Sequence, residues 1–364
     1  MNPRRSALLA AGVALLAMAI PTIAEAKRGP KVTVMTRNVF LGADLSPAIN
    51  ATTLDAAIDG AGVIWNEMQS TKFAERAVPL AREIKRSKAD LVGLQEVALW
   101  RIQTPSDLGG PPQNPNGQRA TQVSQDFLAI LRRELGRSYK VVVVQPEFDA
   151  ELPVNQDAND TTGPLGADFD ARLTMRDVIL VRRGSKVKLG KTRRGHFDTR
   201  YEPSVGGFVI PVDRGWASVE ARVGKKRFRF VDTHLEAFGD PAIREAQARE
   251  LTKGPLKTRR QVILVGDLNS GIARHNEPER PGDDLAFRAL ADFGMHDNGA
   301  VQSCCYDNLF DPAAVFDHTV DHVLSKPRLR TVRSVVTGNR AGERTPSGLW
   351  PSDHGGVVST LRLR

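Results

Sequence analysis

The chain has 364 residues, with 51 Lys or Arg against 42 Asp or Glu, a net charge of +9, and only two cysteines, the adjacent Cys304 and Cys305. Neighbouring cysteines cannot spread thiolates around a zinc ion, so a thiolate zinc site is disfavoured; a vicinal disulfide and two buried thiols both stay open. The basic balance favours anionic partners without choosing among nucleic acid, phosphoinositides and anionic membrane surfaces.

In chain order, Arg4 and Arg5 precede an apolar run from Ser6 to Ile20 and the small-x-small sequence Ala24-Glu25-Ala26. This is the layout of a cleaved export signal. The expectation is a signal peptide over 1–26, a mature single domain over 27–364, and a secreted or periplasmic protein. Lys31 to Val39 reads as a strand, 54–67 and 73–86 as helices, and Ala89 to Leu94 as a short buried strand. The Pro- and Gly-rich stretch 104–117 reads as a loop, 118–135 as a helix and 139–144 as a strand. The Asp-, Asn- and Pro-bearing stretch 145–174 reads as a long loop, followed by a strand over 175–182. Residues 208–223 and 227–233 suggest a hairpin turning at Gly224, and a helix then runs from Asp240-Pro241 to about Leu251. Gln261 to Val265 and Val320 to Leu324 are further strands, and the chain closes on GGVVSTLRL. Strands alternating with helices suggest an α/β layer.

Five segments place hard ligands or imidazoles where apolar runs stop: TRNV at Asn38, GLQEV at Glu96, DTHLE at His234, VGDLNS at Asp267 and Asn269, and SDH at His354. Oxygen ligands of this kind suit Mg²⁺ or Mn²⁺. Asp267 and Asn269, two apart, share a face if the backbone is extended. A lone Glu or a Gly-Asp-x-Asn turn is commonplace. Five such segments in order are not, and together they resemble the endonuclease/exonuclease/phosphatase superfamily with its deoxyribonuclease-I-like fold.

That resemblance implies an α/β four-layer sandwich, two mixed β-sheets packed face to face with helices outside. It implies that Asn38, Glu96 and Asp353 serve the metal, and that His234, Asp267, Asn269, Asp321 and His354 are catalytic, with Asp321 holding His354. Asp177 stands where relatives often carry Asn, and Arg244 recurs in the helix after the histidine strand; both, with Arg182 and Arg183, are candidates for substrate binding. The implied activity is Mg²⁺- or Mn²⁺-dependent hydrolysis of phosphodiesters. Nucleic acid ranks first as substrate because 182–200 carries eight Lys or Arg and 225–229 a second basic cluster. The alternatives are a sphingomyelinase-like phospholipid phosphodiesterase making transient membrane contact, an inositol phosphate phosphatase, and an inactive binding protein that keeps the fold. No obligate protein partner is implied. His196, His275 and His296 read as structural, and His318 and His322 stay open. No P-loop, nucleophile elbow or zincin motif is present.

Overall fold

A computed structural model describes residues 29–364 except 112–113, 158–163, 272–280 and 300–301, so the expected signal peptide and His275 lie outside the described residues. The strands in chain order are β1 (Lys31–Asn38), β2 (Leu91–Gln95), β3 (Leu99–Gln103), β4 (Gln122–Asp126), β5 (Tyr139–Val154) and β6 (Phe169–Arg182). They continue with β7 (Val187–His196), β8 (Ser204–Val205), β9 (Phe208–Val209), β10 (Gly215–Val223), β11 (Lys226–His234) and β12 (Gln261–Asp267). The last four are β13 (His296–Asp297), β14 (Asp321–Lys326), β15 (Arg330–Thr337) and β16 (Gly356–Arg362). An eight-stranded sheet runs β15-β16-β1-β2-β6-β3-β4 with β5 on β6, and a six-stranded sheet runs β13-β14-β12-β11-β10-β7. Both are mixed: β1–β2 and β11–β12 are parallel, their other neighbours antiparallel.

Side-chain alternation explains the four layers. Val32 and Val34 of β1 point into a core shared with Phe228, Phe230, Ile263 and Val265 of the other sheet. Met35, on the opposite face, packs against Leu80 and Ile84 of the helix Phe73–Ser87. Likewise Val262 and Leu264 of β12 face outward onto the helices Pro241–Lys253 and Leu285–Asp292, meeting Leu251 and Leu290. A strand covered on both faces must be apolar at nearly every position, which is why β12 reads as an unbroken hydrophobic run. Gly93 lets the sheets close: a Cβ there would meet Asp232 Oδ1 at 2.3 Å and Val265 at 2.6 Å. Among the described residues no helix is long and apolar enough to cross a membrane.

Several expectations are corrected. The supposed loop over 145–174 is mostly strand, because β5 and β6 pair from Tyr139↔Arg182 to Val154↔Phe169. Their Asp, Glu and Arg residues alternate with buried apolar ones, and β5 bonds only to β6, a position that tolerates Pro146. The supposed helix over 118–135 begins only at Phe127; β4 precedes it, and Asp126 caps it by accepting from Ala129 N at 3.2 Å. Residues 208–209 belong to the small β8–β9 hairpin rather than to β10. The basic stretch after Arg182 is largely β7, an exposed edge strand.

Candidate active site

Register brings the site together. β1 ends at Asn38 beside Gln95 of its parallel neighbour, and Glu96 follows at once. His234 pairs with Asp267 at the ends of β11 and β12, and Asp267 pairs with Asp321 at the start of β14. His354 lies two residues before β16, which runs antiparallel to β1. All these residues therefore lie at one end of the two sheets.

Asn38 is the hub. Its Nδ2 donates to Glu96 Oε1 at 2.9 Å and to Asp267 Oδ2 at 3.0 Å, while its Oδ1 accepts from Phe40 N at 2.9 Å. Asn38 thus orders the two carboxylates, while its oxygen accepts one backbone bond and keeps a second lone pair. Leu41 N donates to Glu96 Oε2 at 2.8 Å. Asp267 Oδ2 lies 3.6 Å from both His234 Nε2 and His354 Nε2. Asn269 donates through its backbone to Asp267 Oδ1 at 2.9 Å, and its amide Nδ2 lies 3.1 Å from His234 Nε2. His354 Nδ1 is 2.9 Å from Asp321 Oδ2, the pairing expected from the sequence, and Ser303 Oγ donates to the same oxygen at 2.7 Å. Cys304 and Cys305 are joined as a disulfide, and Cys304 Sγ lies 3.7 Å from His354 Nε2.

Backbone conformation marks the same place. Glu96 and Asn269 hold φ of 60° and 45°, a left-handed region that side chains usually avoid and that clusters at functional sites. Before Asp267 only glycine fits, since a Cβ on Gly266 would lie 2.0 Å from Thr233 O.

Three buried arginines that the motifs do not announce hold the site. Arg37 pairs with Glu83 at 3.1 Å and donates to the carbonyls of Asn38 and His354. Arg76 donates to the carbonyls of Val39 at 2.8 Å and Pro351 at 3.0 Å, tying the Asn38 loop to the His354 loop. Arg214 lies 3.0 Å from His234 Nδ1 and 3.4 Å from Glu236. The only sequence signal for them is position, as with Arg37 in TRNV.

The two imidazoles are driven apart. Burial, the Arg214 guanidinium and His354 push His234 well below the usual histidine range. Burial alone would lower His354 too, but Asp321, Asp353 and Asp267 together hold it well above that range. One ring is therefore neutral and the other a cation at neutral pH, a division of labour typical of acid–base sites. Burial raises Glu96 and Asp353, and each also feels a neighbouring carboxylate, Asp353 for Glu96 and Asp267 for Asp353. Burial and Asp321 push Asp267 up to about 6. A divalent cation fits this crowded hard-oxygen set, with Glu96 and Asp353 as its holders. Asp267, Asp321 and His354 also offer ligand atoms within 4.8 Å of one another. Because Asp321 already hydrogen-bonds the imidazole, that trio reads as His354 held by Asp321 and ion-paired with Asp267.

This has a measurable consequence. Without a cation the folded state binds the Asp267 proton more tightly than the unfolded chain does. Its stabilising contribution is complete below the unfolded value near 3.8 and is lost as pH rises through about 6, a loss on the order of 3 kcal/mol. The raised His354 acts in the same direction, its contribution full below its ordinary value and lost as pH rises through the folded one. The lowered His234 opposes Asp267 up to its ordinary value of 6.5, so denaturant midpoints of metal-free protein should fall from about pH 6.5 to about pH 8, with Mg²⁺ restoring more at the higher pH. A midpoint that climbs over that interval would contradict the assignment.

Other candidates lie elsewhere. Arg182 pairs with Asp90 at 2.7 Å, at the start of β2, whereas Glu96 follows that strand's end; Arg182 and the adjacent Arg183 are thus a strand's length from the site. Lys225 and Lys226 occupy the β10–β11 turn, at the opposite end of β11 from His234. Asp177 is fully buried, close to the charges of Arg214, Glu96 and Asp267. Arg244 donates to the carbonyls of Glu236 and Ala237 and to Asp283, and it lines a groove adjoining the site. His322 sits between Asp297 and the Ser270 carbonyl, and His196 lies 2.6 Å from the Pro146 carbonyl; both are structural. His318 lies 2.5 Å from Asp317, and His296 begins β13.

A four-layer sandwich carrying carboxylates, amides and two imidazoles at one sheet end is a phosphoesterase fold. The chain belongs to the endonuclease/exonuclease/phosphatase family, whose model matches residues 64–354. It is similar in structure to a family member from Bacteroides thetaiotaomicron, at TM-score 0.54 and 16% identity over 92% of this chain and 99% of that one. A family member from Bacteroides vulgatus aligns at TM-score 0.51 and 17% identity over 92% and 100%. The mannosyl-6-phosphatase Bt3783 of B. thetaiotaomicron aligns at 0.50 and 17% over 91% and 99%. At these identities the likeness concerns the fold. No curated protein sequence matches the chain.

Proposed function

We propose that the protein is an exported hydrolase of phosphodiesters that uses Mg²⁺ or Mn²⁺ and acts on compact substrates rather than on nucleic acid. The observation that carries the hydrolytic reading is the meeting of Asn38, Glu96, His234, Asp267, Asn269 and His354 within hydrogen-bonding or ion-pairing reach of one another. An inactive binding protein would have no need to keep that set or its strained backbone.

Asp267, poised near neutrality and fixed by the Asn38 amide and the Asn269 backbone, takes the proton of the attacking water. His354, kept cationic by Asp321, presents Nε2 to the phosphoryl group as donor. Neutral His234 and the Asn269 amide complete the ring of groups around the reacting centre. A bound divalent cation on Glu96 and Asp353 would supply Lewis acidity at a phosphoryl oxygen.

Charge supports the compact substrate. Among the described residues the cleft is lined by Asp44, Glu67, Glu96, Asp267, Asp307 and Asp353 against the Arg214 guanidinium and the His354 ring. A polyanion laid across it would be repelled, whereas a singly charged diester needs only the cation and Arg214. The basic residues that favoured nucleic acid lie on β7 and at remote strand ends. Export rests on the amino-terminal sequence.

The test compares bis(p-nitrophenyl) phosphate and plasmid DNA, each with Mg²⁺ and with EDTA. The expected result is Mg²⁺-dependent release of nitrophenol with the plasmid intact. Full activity in EDTA would refute the metal. Efficient plasmid cleavage that falls steeply with salt would restore the nuclease.

A further inference from the structure

Beside the carboxylate-lined cleft lies a second cavity of opposite character. It is lined by seventeen apolar residues and one charged side chain, Arg214. Its floor is Trp100, Leu173 and Met175 of the β3–β6 layer, and one wall is Ala48 and Ile49 of the short helix Ser46–Ile49. The segment around the β8–β9 hairpin roofs it through Val205 and Ile210. The two spaces adjoin, with Leu45, Met175, Arg214 and Phe238 lining both. Arg214 stands at the junction, 3.0 Å from His234.

Resting on the phosphodiesterase reading, we propose that this cavity is a specificity subsite that receives an aliphatic group carried on the substrate's phosphoester. The junction fixes the polarity of such a ligand. A phosphoryl anion held at Arg214 and the catalytic centre would point one substituent along Met175 and Phe238 into the apolar space. Charge complementarity at that one point, with nothing but apolar surface beyond it, suits an ester with a charged head and an aliphatic tail. A sugar or nucleobase would lose its hydrogen bonds there without replacement. The volume, about 80 Å³, suits a short unbranched chain. Each methylene drawn out of water should contribute roughly fourfold to kcat/KM until the space is full.

The experiment uses monomeric alkyl p-nitrophenyl phosphodiesters, from methyl to octyl, with Mg²⁺ and the full mature chain. The result expected is a rise in kcat/KM of roughly tenfold or more from methyl to butyl, followed by a plateau. Ala150→Leu, which fills the cavity away from the catalytic groups, should flatten that rise and leave the methyl ester's rate unchanged. Ile210→Ala should move the plateau to longer chains. Calorimetric binding of butylphosphonate against methylphosphonate reads the same contrast without turnover. Equal rates for all chain lengths would overturn the subsite while leaving the phosphodiesterase intact, as would a filled variant that keeps the preference. A chain-length gain found only with esters presented in vesicles would assign the preference to the exposed Phe208 and Val209 at the hairpin tip, and would also overturn the subsite. Failure to cleave any ester would refute the hydrolytic reading instead.

Discussion

His354→Ala should lower kcat on bis(p-nitrophenyl) phosphate by roughly 10²- to 10⁴-fold while the protein stays folded. The ring is buried, its Nδ1 is committed to Asp321, and its Nε2 is left facing Asp267 and the cleft. Three carboxylates keep it charged against the pull of burial. Removing it deletes both a donor and the positive charge that offsets Asp267 and Asp353. Asp321→Asn is the companion test. It keeps the size of the side chain but no longer favours the cation, so activity should fall and its pH profile should shift to lower pH. Near-normal turnover in His354→Ala, with an unchanged melting curve, would remove the residue from the chemistry.

The second large effect concerns Glu96. Glu96→Gln retains the shape and the bond from Leu41 N but loses the acceptor for Asn38 Nδ2 and the charge that makes the side chain a ligand. Half-maximal activation should then need roughly tenfold more Mg²⁺ or worse. Without metal the same variant should be the more stable protein near neutral pH, because burial and Asp353 make the Glu96 carboxylate costly to ionise. Opposite signs for metal response and metal-free stability separate a ligand from a merely structural residue. An unchanged Mg²⁺ titration would exclude Glu96 from the metal site.

What could be read from the sequence was the chemistry at strand ends. β2 and β12 are apolar on both faces and β1 carries alternating apolar residues, so the polar residue that ends each run, Asn38, Glu96 or Asp267, stands out. The long β5–β6 ladder was not legible, because it carries Asp, Arg and Pro residues that also make loops, and several of them, such as Asp170 and Asp177, are buried. Nor were the arginines behind the site. Arg37, Arg76 and Arg214 are buried because each meets carbonyls, a carboxylate or an imidazole from distant segments, and one-dimensional charge counting treats them as surface. The same counting placed weight on the stretch after Arg182. Folding lays that stretch along an edge strand and leaves carboxylates around the cleft.

The most direct measurement is the anomalous diffraction signal of a crystal soaked in Mn²⁺. An ion coordinated by Glu96 and Asp353, within reach of Asp267 and His354, is the result predicted. Manganese bound only elsewhere, with the Glu96 and Asp353 carboxylates free of it, would contradict the account.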